Sequence, residues 1–468
     1  MRKGASRRAH LASRAGRLVA AVPVVAAVML AMPATASAHL LPDRYQAPLP
    51  LVIYIAGAAL AVVMSFVFVI LRNSGPREAE PDEVPARRVP VWLRAVLQIV
   101  GLVAWVWIVA QALIGGSGDG DVASLFLWVY GWVGLALVSS LVGPAWAWID
   151  PFSTLHRGLG WIGGRLGLAG GEPAAYPARL GRWPALIGFA VVIWIELVAR
   201  IDGGRSLGLL FIAYTFITLA GMSYFGREVW RRNAEIFSVW FAIMGRLAPF
   251  ALIGEPEDGL VRRRSFGSGL LTGGWSVDQL VMITLATGAI IYDGLSQTQI
   301  YFDLFSPINL LGLPIARDTL IGSALLGGLV VIVLFVARRL SVAALCAGLL
   351  PVAVGYLIAH YLTYLLIDGQ RIIAALNDPL LRGDNLLPFD LGFYEPVAFL
   401  PSAVVWSIQL ASVVGGHVVG AWAGHAALAE GRSRVRPVAQ LPLAALMVAL
   451  TSLTLWSLGQ AVLSPTTT

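Results

Sequence analysis

Apolar positions in this chain fall in long, nearly unbroken runs. They do not alternate as in a half-buried strand, and they do not keep to one stripe as in a surface helix. A helix needs about 20 mainly apolar residues to cross a bilayer. Runs of that kind lie near residues 50–71, 92–114, 123–146, 184–201, 207–225, 276–293, 318–337, 341–366, 399–427 and 440–462. The pattern predicts an all-α fold, a polytopic transmembrane helical bundle of about ten spans. A further apolar stretch, 235–253, is interrupted by Glu235 and Arg246. On one helix these two charges would be about three turns apart on a shared face. They read as charges at opposite interfacial ends, or as parts of a lid on the inner side.

The first residues have a different pattern. Positions 1–17 carry Arg2, Lys3, Arg7, Arg8, Arg14 and Arg17, positions 18–32 are apolar, and Ala36, Ser37 and Ala38 close the segment. Basic, apolar and small-residue parts in that order predict a cleaved signal peptide over 1–38. The mature chain, 39–468, is expected to form a single integral membrane domain that starts outside with His39.

Loop charge then sets the topology, because cytoplasmic loops collect Lys and Arg. The 72–90 and 150–182 loops hold four arginines each, whereas the glycine-rich 115–122 loop has none. If 235–253 crossed, Arg262–Arg264, Arg338 with Arg339, and the arginines at 432, 434 and 436 would all face outward. If it does not cross, all of them return inside. The expectation is therefore ten spans plus one re-entrant or interfacial segment, with both mature ends outside the plasma membrane.

Composition narrows the function classes. Of 468 residues, 58% are apolar and 13% charged, with mean hydropathy +0.77. A soluble domain is about a quarter charged, so a soluble enzyme, a disordered chain and a fibrous repeat are excluded. The net charge of +7 does not indicate a nucleic-acid partner: six of the 33 basic residues lie in the leader, leaving 27 against 26 acidic. The single cysteine, Cys346, allows no intrachain disulfide. Many of the 16 tryptophans lie near span ends and fit an interfacial belt.

Ionisable groups inside spans are costly and mark candidate sites. Three fall in outer halves of spans: Glu196, Asp293 and His360. Glu196 is four residues before Arg200, the spacing of a helical ion pair. Asp293, followed by Gly294, could end its helix. Tyr356, His360, Tyr364 and Asp368 recur every four residues as one polar-aromatic stripe. That stripe would line a solute or proton path, hold a metal, or simply be hydrogen-bonded between helices. Imidazole suits Cu or Zn, so His39 and His360 are the candidate metal ligands. Ser412, Gly416, Gly420 and Gly424 form a small-residue ridge on which another helix can pack closely, with His417 and His425 alongside. A haem shared by His360 and His417 is disfavoured, because they lie roughly 9 and 20 Å below the outer ends of their helices.

Five stretches are similar to a known family. They are AHLLPDRYQAPLPLVIYIAGAALAVVMSFVFVI, AEIFSVWFAIMGRLAP, AHYLTYLLIDGQRIIAALNDP, VVGGHVVGAWAGHAAL and QLPLAALMVALTSLTLWSLGQ. They resemble bacterial, largely actinobacterial, polytopic membrane proteins labelled fenitrothion hydrolase or fenitrothion hydrolase-like. One departure is IIYDGLSQTQ, where relatives are expected to carry a TFDGF-like stretch; Asp293 and Gly294 are retained. The resemblance implies a membrane-embedded organophosphate ester hydrolase. The chain itself shows no nucleophile elbow, P-loop, zincin motif or Cys/His zinc pattern.

Three functions remain in view. The leading one is transport or handling of a small solute or metal ion at an outward-opening polar site. The second is the implied hydrolase. The third is a structural partner subunit of a respiratory or copper-handling complex, docked through the 412–424 ridge.

Overall fold

The computed structural model describes residues 51–72, 85–116, 121–167, 171–201, 203–310, 312–387, 395–429 and 437–458. His39 and the leader lie outside the described residues. Among those described, eight helices are long and apolar enough to cross a membrane. The apolar helices Leu51–Arg72 and Pro437–Leu458, of 22 residues each, complete the ten runs expected from sequence. The fold is an all-α polytopic bundle, and the protein belongs to the multi-pass α-helical membrane class.

The 235–253 stretch does not form a spanning helix. Its helix, Ile236–Met244, has nine residues, about 13 Å of rise against a hydrocarbon core of about 30 Å. Glu235 caps it by accepting from the backbone N–H groups of Phe237 and Ser238. After a turn the chain becomes β2, Phe250–Ile253, which pairs antiparallel with β3, Leu260–Arg263. The short β1, Arg87–Arg88, pairs with the other edge of β3, giving the order β1-β3-β2. Helical periodicity does not reveal this small sheet, because its strands are two to four residues long.

The chain forms two compact units. Unit one holds 270–360 and 400–468 together with the helix Leu51–Arg72. Its most enclosed helices are Val277–Ser296 and the one starting at Val342, while Pro314–Ala337 is only 17% buried along its apolar window. An enclosed helix can carry polar side chains, whereas an apolar helix that is open on most sides requires lipid around it. Val277–Ser296 starts at a capping box in which Ser276 and Gln279 bond reciprocally.

Unit two holds residues 81–269 and 361–399. Its core gathers Ile108, Ala112, Val122, Leu125, Leu207 and Phe211. The 125–135 stretch winds as a π-helix, a wider coil that recurs at functional sites. Asp121 caps the start of that span through Ala123 N and Ser124 N, and also accepts from Gly204 N at 2.6 Å. One carboxylate thereby ties two span ends together.

Candidate functional site

In unit one, Asp293 and His360 meet. His360 Nε2 lies 2.8 Å from Asp293 Oδ2, and the side chains are 15% and 19% exposed. Gln297 Nε2 donates to the other carboxylate oxygen at 2.9 Å. Asp293 is 16 residues into the helix that starts at Val277, and His360 is 18 into the one that starts at Val342. At 1.5 Å per residue these positions are roughly 24 and 27 Å from their helix starts. These distances place the two side chains at matching depth when the two helices run in the same sense. Parallel neighbours need one crossing between them, and Pro314–Ala337 supplies it.

The rest of the polar-aromatic stripe divides among different surroundings. Tyr356 is fully buried, with its hydroxyl 3.4 Å from His417 Nε2. His417 Nδ1 bonds to Val413 O at 2.8 Å, and Thr451 Oγ1 lies 2.6 Å from Nε2. A carbonyl can only accept, so Nδ1 is the donor in the bond to Val413. Both nitrogens are engaged, which gives His417 a packing role. His425 is buried, and its Nδ1 has no hydrogen-bond partner among the described residues. Tyr364 belongs to unit two, where it packs on the Ile108–Phe211 core cluster. Asp368 opens a 3-10 turn and pairs with Arg371 at 3.2 Å.

Two expectations about charges are corrected. Glu196 and Arg200 are not spaced along a regular α-helix: the segment Ile195–Ala199 is π-helical, and Arg200 ends it in the left-handed conformation at φ 50°. Glu235 and Arg246 do not share a helix face, because the helix stops at Met244. Arg246 instead donates to Gly269 O at 3.1 Å.

Glu235 is the polar residue whose setting the sequence did not reveal. It is fully buried and accepts from four donors: the two capping N–H groups, Trp146 Nε1 at 3.1 Å and the Tyr214 hydroxyl. Asp150 lies on the same polar system, buried, capping the helix Pro151–Arg165 and paired with Arg231 at 3.2 Å. Burial pushes the Glu235 carboxyl above its ordinary range, and the nearby charge of Asp150 adds to that push. Hydrogen bonds from Ser238 and Tyr214 act in the opposite direction. The only sequence signal was that an acidic residue stood immediately before an apolar run, which is the position of a helix cap.

The small-residue ridge is occupied within the chain. A Cβ at Gly416 would stand 2.5 Å from Pro351 O, and one at Gly420 would stand 2.3 Å from Gly348 O. On the facing helix a Cβ at Gly355 would stand 2.4 Å from Ser412 O. At Gly424 the nearest atom is Leu443 Cδ2 at 2.7 Å. Ser412, Gly416 and Gly420 therefore seat the helix Val342–Ile367, so they are not open to a partner subunit.

Metal-site geometry is sparse. Among the described residues one group of three metal-competent side chains converges, Glu228, Glu255 and Glu257. Arg227 and Arg232 already neutralise two of these carboxylates. Asp293 and His360 supply two donors, and among the described residues no third metal-competent side chain converges with them. The chain matches no protein-family model, no curated protein and no solved structure.

Proposed function

We propose that the protein sits in the bacterial plasma membrane, with both mature ends outside, and handles a small polar solute or cation at Asp293 and His360. One observation carries this reading. Two ionisable side chains, 67 residues apart in sequence, meet at 2.8 Å between two spanning helices and remain partly exposed. Such groups are expensive at membrane depth and persist where they bind or move charge. An imidazolium–carboxylate pair that loses a proton as a monovalent cation arrives keeps the net charge of the site unchanged. A cationic solute competing for Asp293 would displace His360, and this coupling would release its proton. The carboxylate supplies the charge that selects a cation, and Gln297 holds its other oxygen in place.

The test uses purified full-length protein in liposomes with an internal pH dye, challenged with small solutes and with Cu and Zn. A solute-dependent proton flux that is lost in His360→Ala and Asp293→Asn, with insertion unchanged, supports the reading. Flux unaffected by both substitutions sinks it. If the protein releases nitrophenol from an organophosphate ester without moving any solute, the hydrolase implied by the family resemblance takes its place. The sidedness has its own check: a cysteine introduced at the exposed Leu386 should react with an impermeant maleimide from outside, and one at Arg263 only after permeabilisation.

A further inference from the structure

Unit two contains a cavity of about 530 Å³ that is separate from the residues of the proposed solute site. Its walls come from the spans Val91–Ile114, Val122–Leu141 and Gly204–Phe225, with Trp146, Phe237 and Ile372 closing it. The aromatic lining residues carry hydrogen-bonding groups, but each is satisfied elsewhere. Trp105 Nε1 donates to Thr215 Oγ1 at 3.1 Å, Trp146 Nε1 to Glu235, and the Tyr130 hydroxyl to Gly369 O. The cavity therefore offers ring faces and aliphatic carbon, and almost no polar surface. A charged or hydrogen-bonding ligand would lose its hydration there without compensation. Water gains little from such a site, since a water needs two or more polar partners.

Left unfilled, a space of this size would forfeit packing contacts along its whole wall. The surrounding helices are membrane spans, so hydrocarbon chains are the most abundant material at that depth. The π-helical wall adds a second feature. It places Gly131 and Gly134 on the cavity, and a Cβ at Gly134 would meet nothing closer than 3.6 Å. The space beside Gly134 is not filled by a neighbouring helix.

We infer that this cavity binds one hydrocarbon chain, acyl or prenyl, of a membrane lipid, with the lipid's polar end outside it. The chain lies against the rings of Trp105, Phe126, Tyr130, Trp146, Phe211 and Phe237. Its selectivity is for an unbranched or methyl-branched chain without polar substituents, because no group in the wall can pair with one.

The experiment uses the full chain in membranes fed with a diazirine-bearing palmitic acid or a diazirine-bearing prenyl alcohol. After irradiation, adducts are mapped by peptide mass spectrometry. Adducts on Trp105, Phe126 or Gly131 at several times the level on the lipid-facing Val103 and Val106 are expected, from one of the two probes. Which probe labels tells acyl from prenyl. Gly134→Leu should fill the space and lower the cavity labelling at least five-fold, with Val103 and Val106 labelling unchanged. Should Gly134→Leu fail to insert, Val138→Phe fills the same cavity from the next turn. Equal labelling of cavity and lipid-facing positions, or cavity labelling that survives a folded filling variant, overturns the inference.

Discussion

Replacing Gly420 with alanine tests the close helix contact most directly. In this structure the added Cβ would lie 2.3 Å from Gly348 O on the facing helix. Real Cβ contacts begin at about 3.0–3.4 Å, so the helices must separate by roughly 0.7–1.1 Å or the backbone must bend. Separation along that line would also loosen Gly416 on Pro351 O and Gly355 on Ser412 O. Overpacking of this kind costs about 1–3 kcal/mol. Alanine also gains about 1 kcal/mol of helix propensity over glycine, which would mask part of the cost. Gly415→Ala is the matched control, because a Cβ there meets nothing within 4 Å. Both variants gain the same propensity, so the difference between them isolates the contact. Gly420→Ala should be less stable than Gly415→Ala by about 1–3 kcal/mol, read as the free-energy difference in reversible denaturant unfolding of the detergent-purified protein. Equal stability, or a more stable Gly420→Ala, would refute the packing argument.

Other substitutions probe the polar groups. Asp150→Asn keeps a capping side chain but leaves the buried Arg231 without its counter-charge, and should cost about 3–5 kcal/mol, whereas Arg231→Met with Asp150→Asn should recover much of that loss in the same assay. Trp146→Phe removes one of four donors to Glu235 and should cost about 1–3 kcal/mol, with less loss at low pH, where the protonated carboxyl needs fewer donors. Because burial raises Glu235, the folded state holds its proton more tightly than the unfolded state. Its contribution to stability therefore falls as pH rises from the unfolded carboxyl value through the folded one. His156 runs the other way: burial, then the charge of Arg227, lowers its imidazole below the ordinary range. The unfolded state takes up that proton first, so stability falls as pH drops through the unfolded histidine value. Wild type should lose more thermal midpoint between pH 7.5 and 5.5 than His156→Gln does; equal losses would show that His156 is not involved.

The membrane class and the number of long helices were legible in the sequence because lipid is a uniform solvent. Any run of about 20 apolar residues satisfies its backbone internally as a helix and needs no tertiary partner to be recognised. The exclusion of 235–253 from the spans was legible from loop charge, and the structure agrees through the nine-residue helix that forms there. The four-residue spacing of Ser412, Gly416, Gly420 and Gly424 was legible as a surface that can approach another helix closely. Only the tertiary structure identified Gly348, Pro351 and Gly355 as the surface it meets.

Polar pairing was not legible, because it depends on which helices become neighbours. Asp293 and His360 were each visible as costly ionisable groups, but spacing alone could not bring together two residues 67 positions apart. Local spacing was also misleading where helix geometry changes, as at Glu196 and Arg200, where a π-turn and a left-handed residue replace the 3.6-residue repeat. Glu235 looked like an interfacial charge, and became a fully buried cap once Trp146 and Tyr214 were folded over it. The sequence by itself determined what lipid requires of each segment, since that depends on composition within one helix. The tertiary structure decided which side chains meet, since contact between helices depends on positions that the chain brings together only on folding.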